Sequence, residues 1–439
     1  MSPLPADGSS REVILDRMRK MRSEDARWKE GKTFSLVYYA GEEHSALLKE
    51  AYTEFMSENA LSPVAFPSLR KFENEVLAMC SGMFHGDTAA GTMTSGGTES
   101  VLMAVKTARE WAKNVRGIAA PEMVLPISAH PAFMKAAHYF NVKPVLIPLG
   151  PDFRVDLEKV AKAVNENTAL IVGSAFQYPQ GVVDPIPELA AIADAHGILC
   201  HVDACLGGFV LAFSEANGVP VPPFDFRVKG VTSLSADIHK YGFAAKGASI
   251  VLYRDAELRR HQFFTWADWP GGLYASPSMT GTRPGGAIAA AWAVLNHFGE
   301  AGYVKLIGRI LSTARKLREG VAAIGGLRIL GDAKYAVFAF GSDDVDVYAL
   351  GDAMEARGWK LDRQQSPPAL HLMITPAHEP VADAFLADLR DCVGSLKRGE
   401  PAPDGSAAMY GMVGAIPDRK DVEGFLLTFL DGLFDPNAG

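Results

Sequence analysis

From Gly91 onward the chain alternates short apolar runs with helical patterns, and this alternation narrows the available folds more than any other feature. Strand-like runs lie at Met123–Ile127, Val145–Pro148, Ala169–Gly173, Leu199–Asp203 and Thr232–Ser235. Apolar residues at helical spacing occupy Val101–Val115, Pro131–Phe140, Leu157–Asn165 and Ile186–His196 between them. The pattern predicts an open α/β sheet with a large parallel part, and Ser249–Tyr253 reads as an antiparallel edge or return strand. Ligands of such sheets bind beyond the carboxyl ends of the strands. Ser95–Thr98, His130, Tyr178, Asp203 and Lys240 each follow a predicted strand end, so the topology would gather them in one place.

The stretch Ser233–Gly247 (SLSADIHKYGFAAKG) places Lys240 just after a short apolar strand, beside His239. A lysine whose surroundings lower its pKa can hold a carbonyl cofactor as a Schiff base. Upstream, the apolar run Leu199–Asp203 ends in a carboxylate. Pyridoxal 5'-phosphate needs both groups, a lysine for its aldehyde carbon and an acid that keeps its ring nitrogen protonated. Gly96 and Gly97 bare the start of a helix whose free N–H groups, with the Ser95 and Thr98 hydroxyls, suit a cofactor phosphate; the same loop would also serve as an ordinary helix cap. His130 can stack on an aromatic ring or simply end a loop, and Tyr178 can move a proton or pack. His201 reads as a core histidine that could also orient Asp203. Lys246 is either a cation for a substrate phosphate or a surface lysine. Gly281–Gly286 forms a second glycine-rich turn into a helix.

A net charge of −8 argues against a nucleic-acid binder, which would carry a basic face. No run of about twenty apolar residues suggests a membrane span, and Met1–Arg22 lacks the apolar core of a signal peptide, so a cytoplasmic protein is expected. The four cysteines show no metal-ligand spacing, so no metal site is expected. Residues 1–57 read as a helical segment suited to dimer packing, 58–300 as the large cofactor-binding domain and 301–439 as a smaller α+β domain.

With these residues in view, the chain resembles the sphingosine-1-phosphate lyase family of the group II pyridoxal-phosphate decarboxylase superfamily. The matching strings are TSGGTES (94–100), GVVDP (181–185), HVDACLGGF (201–209), SADIHKYGFAAKG (235–247), GTRPGG (281–286), HFGEAGY (297–303) and YGM (410–412). The resemblance implies an aminotransferase type I fold, a homodimer with sites at the subunit interface, and carbon–carbon cleavage of a phosphorylated long-chain base. It assigns Lys240 to the Schiff base, Asp203 to the pyridinium, His130 to ring stacking, and Gly97, Thr98 and His239 to the cofactor phosphate. Tyr39 and Lys246 match positions that meet the substrate phosphate, and Tyr178 a tyrosine near the reacting centre. One departure stands out. Where the family commonly reads Asn-x-Leu-His-x-Asp-x-Phe-Pro, this chain has Ser62 and Val64 in place of the histidine and the acid. Losing one charge-assisted hydrogen bond costs about 1.5–3 kcal/mol of binding. That loss motivates an alternative, an amino-acid decarboxylase or an aldolase acting on an unphosphorylated substrate.

Overall fold

The computed structural model describes residues 4–416 and 418–435. Its main sheet has seven strands: β1 (Ala90–Thr94), β2 (Glu122–Pro126), β3 (Lys143–Ile147), β4 (Thr168–Ser174), β5 (Leu199–Asp203), β6 (Ser233–Ala236) and β7 (Ser249–Tyr253). They lie in the order β1-β7-β6-β5-β4-β2-β3. The pairs β2/β3, β2/β4, β4/β5 and β5/β6 are parallel, as helical crossovers between apolar strands dictate. β7 runs against both its neighbours, β6 and β1. The expectation of an edge strand is therefore half right: β7 returns antiparallel but sits inside the sheet. Its five residues are all buried.

A hairpin of β8 (Phe264–Trp266) and β9 (Tyr274–Ser276), which the sequence did not suggest, precedes a long helix, Gly285–Ala322. That helix breaks at Gly299, whose φ of 54° and ψ of −175° only glycine adopts readily, and so behaves as two helices. Beyond it, β10 (Leu327–Leu330), β11 (Val337–Ser342), β12 (Asp362–Gln365) and β13 (Pro368–Met373) form an antiparallel sheet in the order β10-β11-β13-β12. β12 carries only polar residues and gave no strand signal.

The N-terminal helix Arg11–Met21 buries none of its residues. The segment after it does the opposite. Thr33 bridges Lys360, Met373 N–H donates to the Phe34 carbonyl at 2.9 Å, and the Phe34 ring stacks on His378 at 4.2 Å. This segment is thus stitched into the core of the C-terminal sheet. No helix among the described residues is long and apolar enough to cross a membrane.

Candidate active site

A cavity of about 510 Å³ opens at the carboxyl ends of β1, β4, β5 and β6. Gly97, Thr98, His130, Tyr178, Asp203, His239, Lys240 and Lys246 all line it. Strands that run parallel deliver their following loops to the same side, which explains the convergence.

Lys240 Nζ lies 3.0 Å from Asp237 Oδ2. Asp237, three residues earlier in the same turn, was overlooked as a functional residue although its spacing allows the pair. Burial acts to lower the Lys240 pKa, but the carboxylate of Asp237, reinforced by Cys205 and Asp203, outweighs it and the net shift is upward. The expected lowering of the lysine pKa is corrected by this one buried acid. Burial likewise acts to raise the Asp237 pKa, and Lys240 with His239 reverses it to well below the usual range. Ala248 N–H donates to His239 Nδ1 at 3.3 Å, which leaves Nε2 to carry the proton toward Asp237 Oδ2 at 3.5 Å.

Asp203 Oδ1 accepts from Cys205 N at 3.0 Å and from Ser235 Oγ at 3.5 Å. Behind it, His201 is fully buried, with Nδ1 on Ser233 Oγ (2.9 Å) and Nε2 on Ser235 Oγ (3.2 Å). Burial pushes its pKa down to about 4, so it is a satisfied neutral core histidine that reaches Asp203 only through Ser235. His130 is also shifted down, first by burial, and its neutral ring faces the cavity. Its Nδ1 accepts Ala132 N–H at 3.2 Å, which fixes the ring.

The helix after β1 starts at Gly97, with Gly96 as its cap and no side chain bonded to its first N–H groups. Ser95 is diverted, since its N–H and Oγ both donate to Glu99 Oε2. A Cβ at Gly97 would sit 2.7–2.8 Å from the Asp237 oxygens and 3.0 Å from Cys205 Sγ. Only glycine lets the helix start approach the Lys240 turn this closely.

A further part of the wall joins Tyr178 and Lys246, both on loops of the main sheet, to residues distant in the chain. Tyr178 Oη donates to Asp362 Oδ2 at 2.7 Å, and Ser35 Oγ donates to Asp362 Oδ1 at 3.0 Å. Lys246 Nζ donates to the Leu36 carbonyl at 2.9 Å and lies 4.9 Å from the centre of the Tyr38 ring. Burial, then Lys240, lower its pKa. Tyr38 lines the cavity; Tyr39 does not. The Tyr39 hydroxyl donates to Glu42 at 2.9 Å and its ring packs edge-on against Trp28, so within the single chain it is Tyr38 that stands at this cavity. Ser62 and Val64 are also outside the cavity, on a surface loop where Ser62 Oγ accepts Ala65 N–H and Val64 is exposed. In Gly281–Gly286, Arg283 pairs with Glu73, and a Cβ at Gly285 would meet the Phe55 and Glu58 carbonyls. That turn serves packing within this chain.

The residues present fit pyridoxal 5'-phosphate: an amine and an acid share one cavity with a neutral flat imidazole and an uncapped helix start.

Residues 4–341 match the pyridoxal-dependent decarboxylase conserved domain. Sphingosine-1-phosphate lyase 1 of Rattus norvegicus is 48% identical over 98% of this chain and 77% of its own length. The sphingosine-1-phosphate lyase of Saccharomyces cerevisiae is 39% identical over 99% of this chain and 76% of its own. The solved structure of Burkholderia pseudomallei sphingosine-1-phosphate lyase superposes with a TM-score of 0.92 at 40% identity, covering 99% of this chain and 98% of that one. Glutamate decarboxylase of Lactobacillus brevis, at 20% identity and a TM-score of 0.78 over 91% of this chain and 96% of its own, shares the fold. The chain therefore belongs to the sphingosine-1-phosphate lyase family of the pyridoxal-dependent decarboxylases.

Proposed function

We propose that this chain is a pyridoxal-phosphate-dependent lyase that cleaves sphingosine-1-phosphate, or a closely similar phosphorylated long-chain base, to a fatty aldehyde and phosphoethanolamine. The observation that carries this reading is the single cavity in which Lys240, Asp203 and His130 face the Lys246 ammonium. Lys240 would hold the cofactor's aldehyde carbon, Asp203 its ring nitrogen, His130 its face, and Gly97, Thr98 and His239 its phosphate. When bound, the cofactor supplies the electron sink for carbon–carbon cleavage. Asp203 keeps a proton at the ring nitrogen, and His201 steadies that carboxylate through Ser235. Lys246, its charge balanced by no carboxylate within ion-pair distance among the described residues, offers a donor to the substrate phosphate. Tyr178, on the loop after β4, lines the same cavity as Lys240, where its hydroxyl can take part in moving the proton of the substrate hydroxyl.

Incubating the cofactor-loaded protein with sphingosine-1-phosphate, and separately with aromatic and acidic amino acids, tests this reading. Fatty aldehyde and phosphoethanolamine are expected; carbon dioxide from an amino acid with no aldehyde would overturn it. The decarboxylase alternative gains no support from the comparisons, since the decarboxylase named above shares only the fold.

The reading includes a homodimer. Phe264, Trp266, Trp269 and Leu273 on the hairpin, and Val13, Ile14, Met18 and Met21 on the N-terminal helix, leave apolar surface uncovered in the single chain, as expected of a subunit interface. Sedimentation at micromolar concentration should give twice the chain mass. It also includes a cytoplasmic place of work, which four free, buried thiols suit; cell fractionation checks it.

A further inference from the structure

Asp362 was not singled out in the sequence, yet it is the residue around which the far wall is built. It opens β12 and faces His371 across the β12/β13 ladder. Each of its oxygens has one partner, Oδ1 the Ser35 hydroxyl and Oδ2 the Tyr178 phenol. Tyr178 is gripped in two further ways. Its ring stacks on His371 at 4.2 Å, and its carbonyl meets His371 Nε2 at 2.9 Å. Burial pushes the His371 pKa down to about 4, so this clamp is neutral and adds no charge to the wall.

These contacts settle what Tyr178 can do. Burial first, and the Asp362 carboxylate next, push its phenol far above the usual range, so it is a neutral hydroxyl and a poor base by itself. A neutral phenol can still accept a proton through its oxygen if it gives up its own in the same event. The only carboxylate hydrogen-bonded to it among the described residues is Asp362.

We propose that Asp362 is a positioning residue that receives, through Tyr178, the proton of the substrate hydroxyl. The inference rests on the lyase reading above. In the step, the substrate O–H bond breaks and its proton bonds to Tyr178 Oη, while the Tyr178 O–H bond breaks and that proton bonds to Asp362 Oδ2. The electron pair of the substrate O–H bond becomes the second bond of the aldehyde carbonyl as the carbon–carbon bond breaks. The pair of the broken bond ends in a new C–H bond at the amine-bearing carbon. The C–H bond takes its proton from the Lys240 amine group, and the proton held on Asp362 leaves through Tyr178 to solvent while Lys240 takes one up, so protons balance and the cycle closes without an external oxidant or reductant.

The test separates the hydroxyl step from the rest of the chemistry. Exchange of the α-protons of phosphoethanolamine with deuterated water uses the same cofactor and Lys240 but involves no hydroxyl. Asp362→Asn keeps the size of the side chain and an oxygen for Tyr178. In this variant, kcat for aldehyde release is expected to fall about 100-fold or more with KM within about twofold, while phosphoethanolamine exchange stays within about twofold of the unaltered protein. The visible absorption of the bound cofactor, read in the same samples, should be unchanged. Aldehyde release at the unaltered rate would overturn the proposal. So would an equal loss of cleavage and exchange, because Asp362 would then only hold the wall together. Should Asp362→Asn not fold, Tyr178→Phe leaves the Ser35–Asp362 bond in place and must show the same split. If the unaltered protein exchanges phosphoethanolamine but releases no aldehyde, the lyase reading itself has failed and the relay falls with it.

Discussion

The two walls of the cavity are built by different rules. One consists of Asp203, Asp237, His239 and Lys240 with the Gly97 helix start, residues that immediately follow strands of one mostly parallel sheet. The other joins Ser35 and Tyr38, from a segment near the N-terminus, to Asp362 and Met373 of a second sheet, with Lys246 reaching in from the loop that also carries Lys240. The first wall carries paired charge: an acid and an amine at 3.0 Å, with a second carboxylate behind them. The second is mostly hydroxyls and aromatic rings around a single carboxylate. The contrast separates two jobs. The strand-end wall suits a cofactor common to many reactions, and the wall assembled from distant segments suits the choice of substrate and bond.

The comparison breaks most visibly at Lys240. Lys240→Ala is expected to remove the visible absorption of the lysine-bound cofactor and to bring turnover below detection, whichever substrate is offered. Persistence of both would detach the cofactor from the strand-end wall. Next in size, Lys246→Ala should leave cofactor absorption intact and raise KM for phosphate-bearing substrates by about 10- to 100-fold, as losing a charged hydrogen bond of about 1.5–3 kcal/mol requires. Steady-state kinetics on phosphorylated and dephosphorylated substrate would show it, and an equal effect on both would remove Lys246 from the substrate wall.

Asp237→Asn should destabilise the protein by about 1–3 kcal/mol at neutral pH, because a buried ammonium loses its partner. Asp237 has a folded pKa below its unfolded one, so its contribution is present above the unfolded carboxylate range and is lost as pH falls through the folded value. The Tm gap between the two proteins should therefore be full near pH 7 and begin to close below about pH 4. A gap independent of pH would mean that packing, not charge, holds the turn. The smallest effect belongs to Tyr39→Phe, which should leave kcat and KM within about twofold, as befits a residue outside the cavity. Tyr38→Phe removes a hydroxyl that lines it and is the matched control.

These differences explain what was legible beforehand. Lys240, Asp203, His130 and the Gly97 loop were readable because an apolar run, a turn and a polar residue in succession mark a strand end, and parallel strands put their ends together. The reversed β7 was readable as a return strand but not as an interior one, since its apolar residues do not say how many neighbours it has. Asp362 was hidden because β12 (Asp362–Gln365) alternates nothing, and its meaning depends on Tyr178 and Ser35, both far away in sequence. Tyr39 came from the resemblance and not from any local pattern, and two adjacent tyrosines in an irregular segment, where Leu36 has a φ of 66°, gave no independent signal of which one faces the cavity. Asp237 was visible and undervalued, since a lysine three residues after an acid looks like an ordinary turn until both are buried.

The placement of β7 also governs whether the molecule can become whole. Among the described residues β1 pairs with no strand but β7, so its place in the sheet depends on a strand that comes after β2 through β6 in the chain. The helix that starts at Gly97 follows β1 directly and also packs on β4, β5, β6 and β7, so the loop between them is tied to both the first and the last strands of the sheet. A chain cut before β7 would leave β1 without a strand partner and the Gly97 loop without one of its anchors.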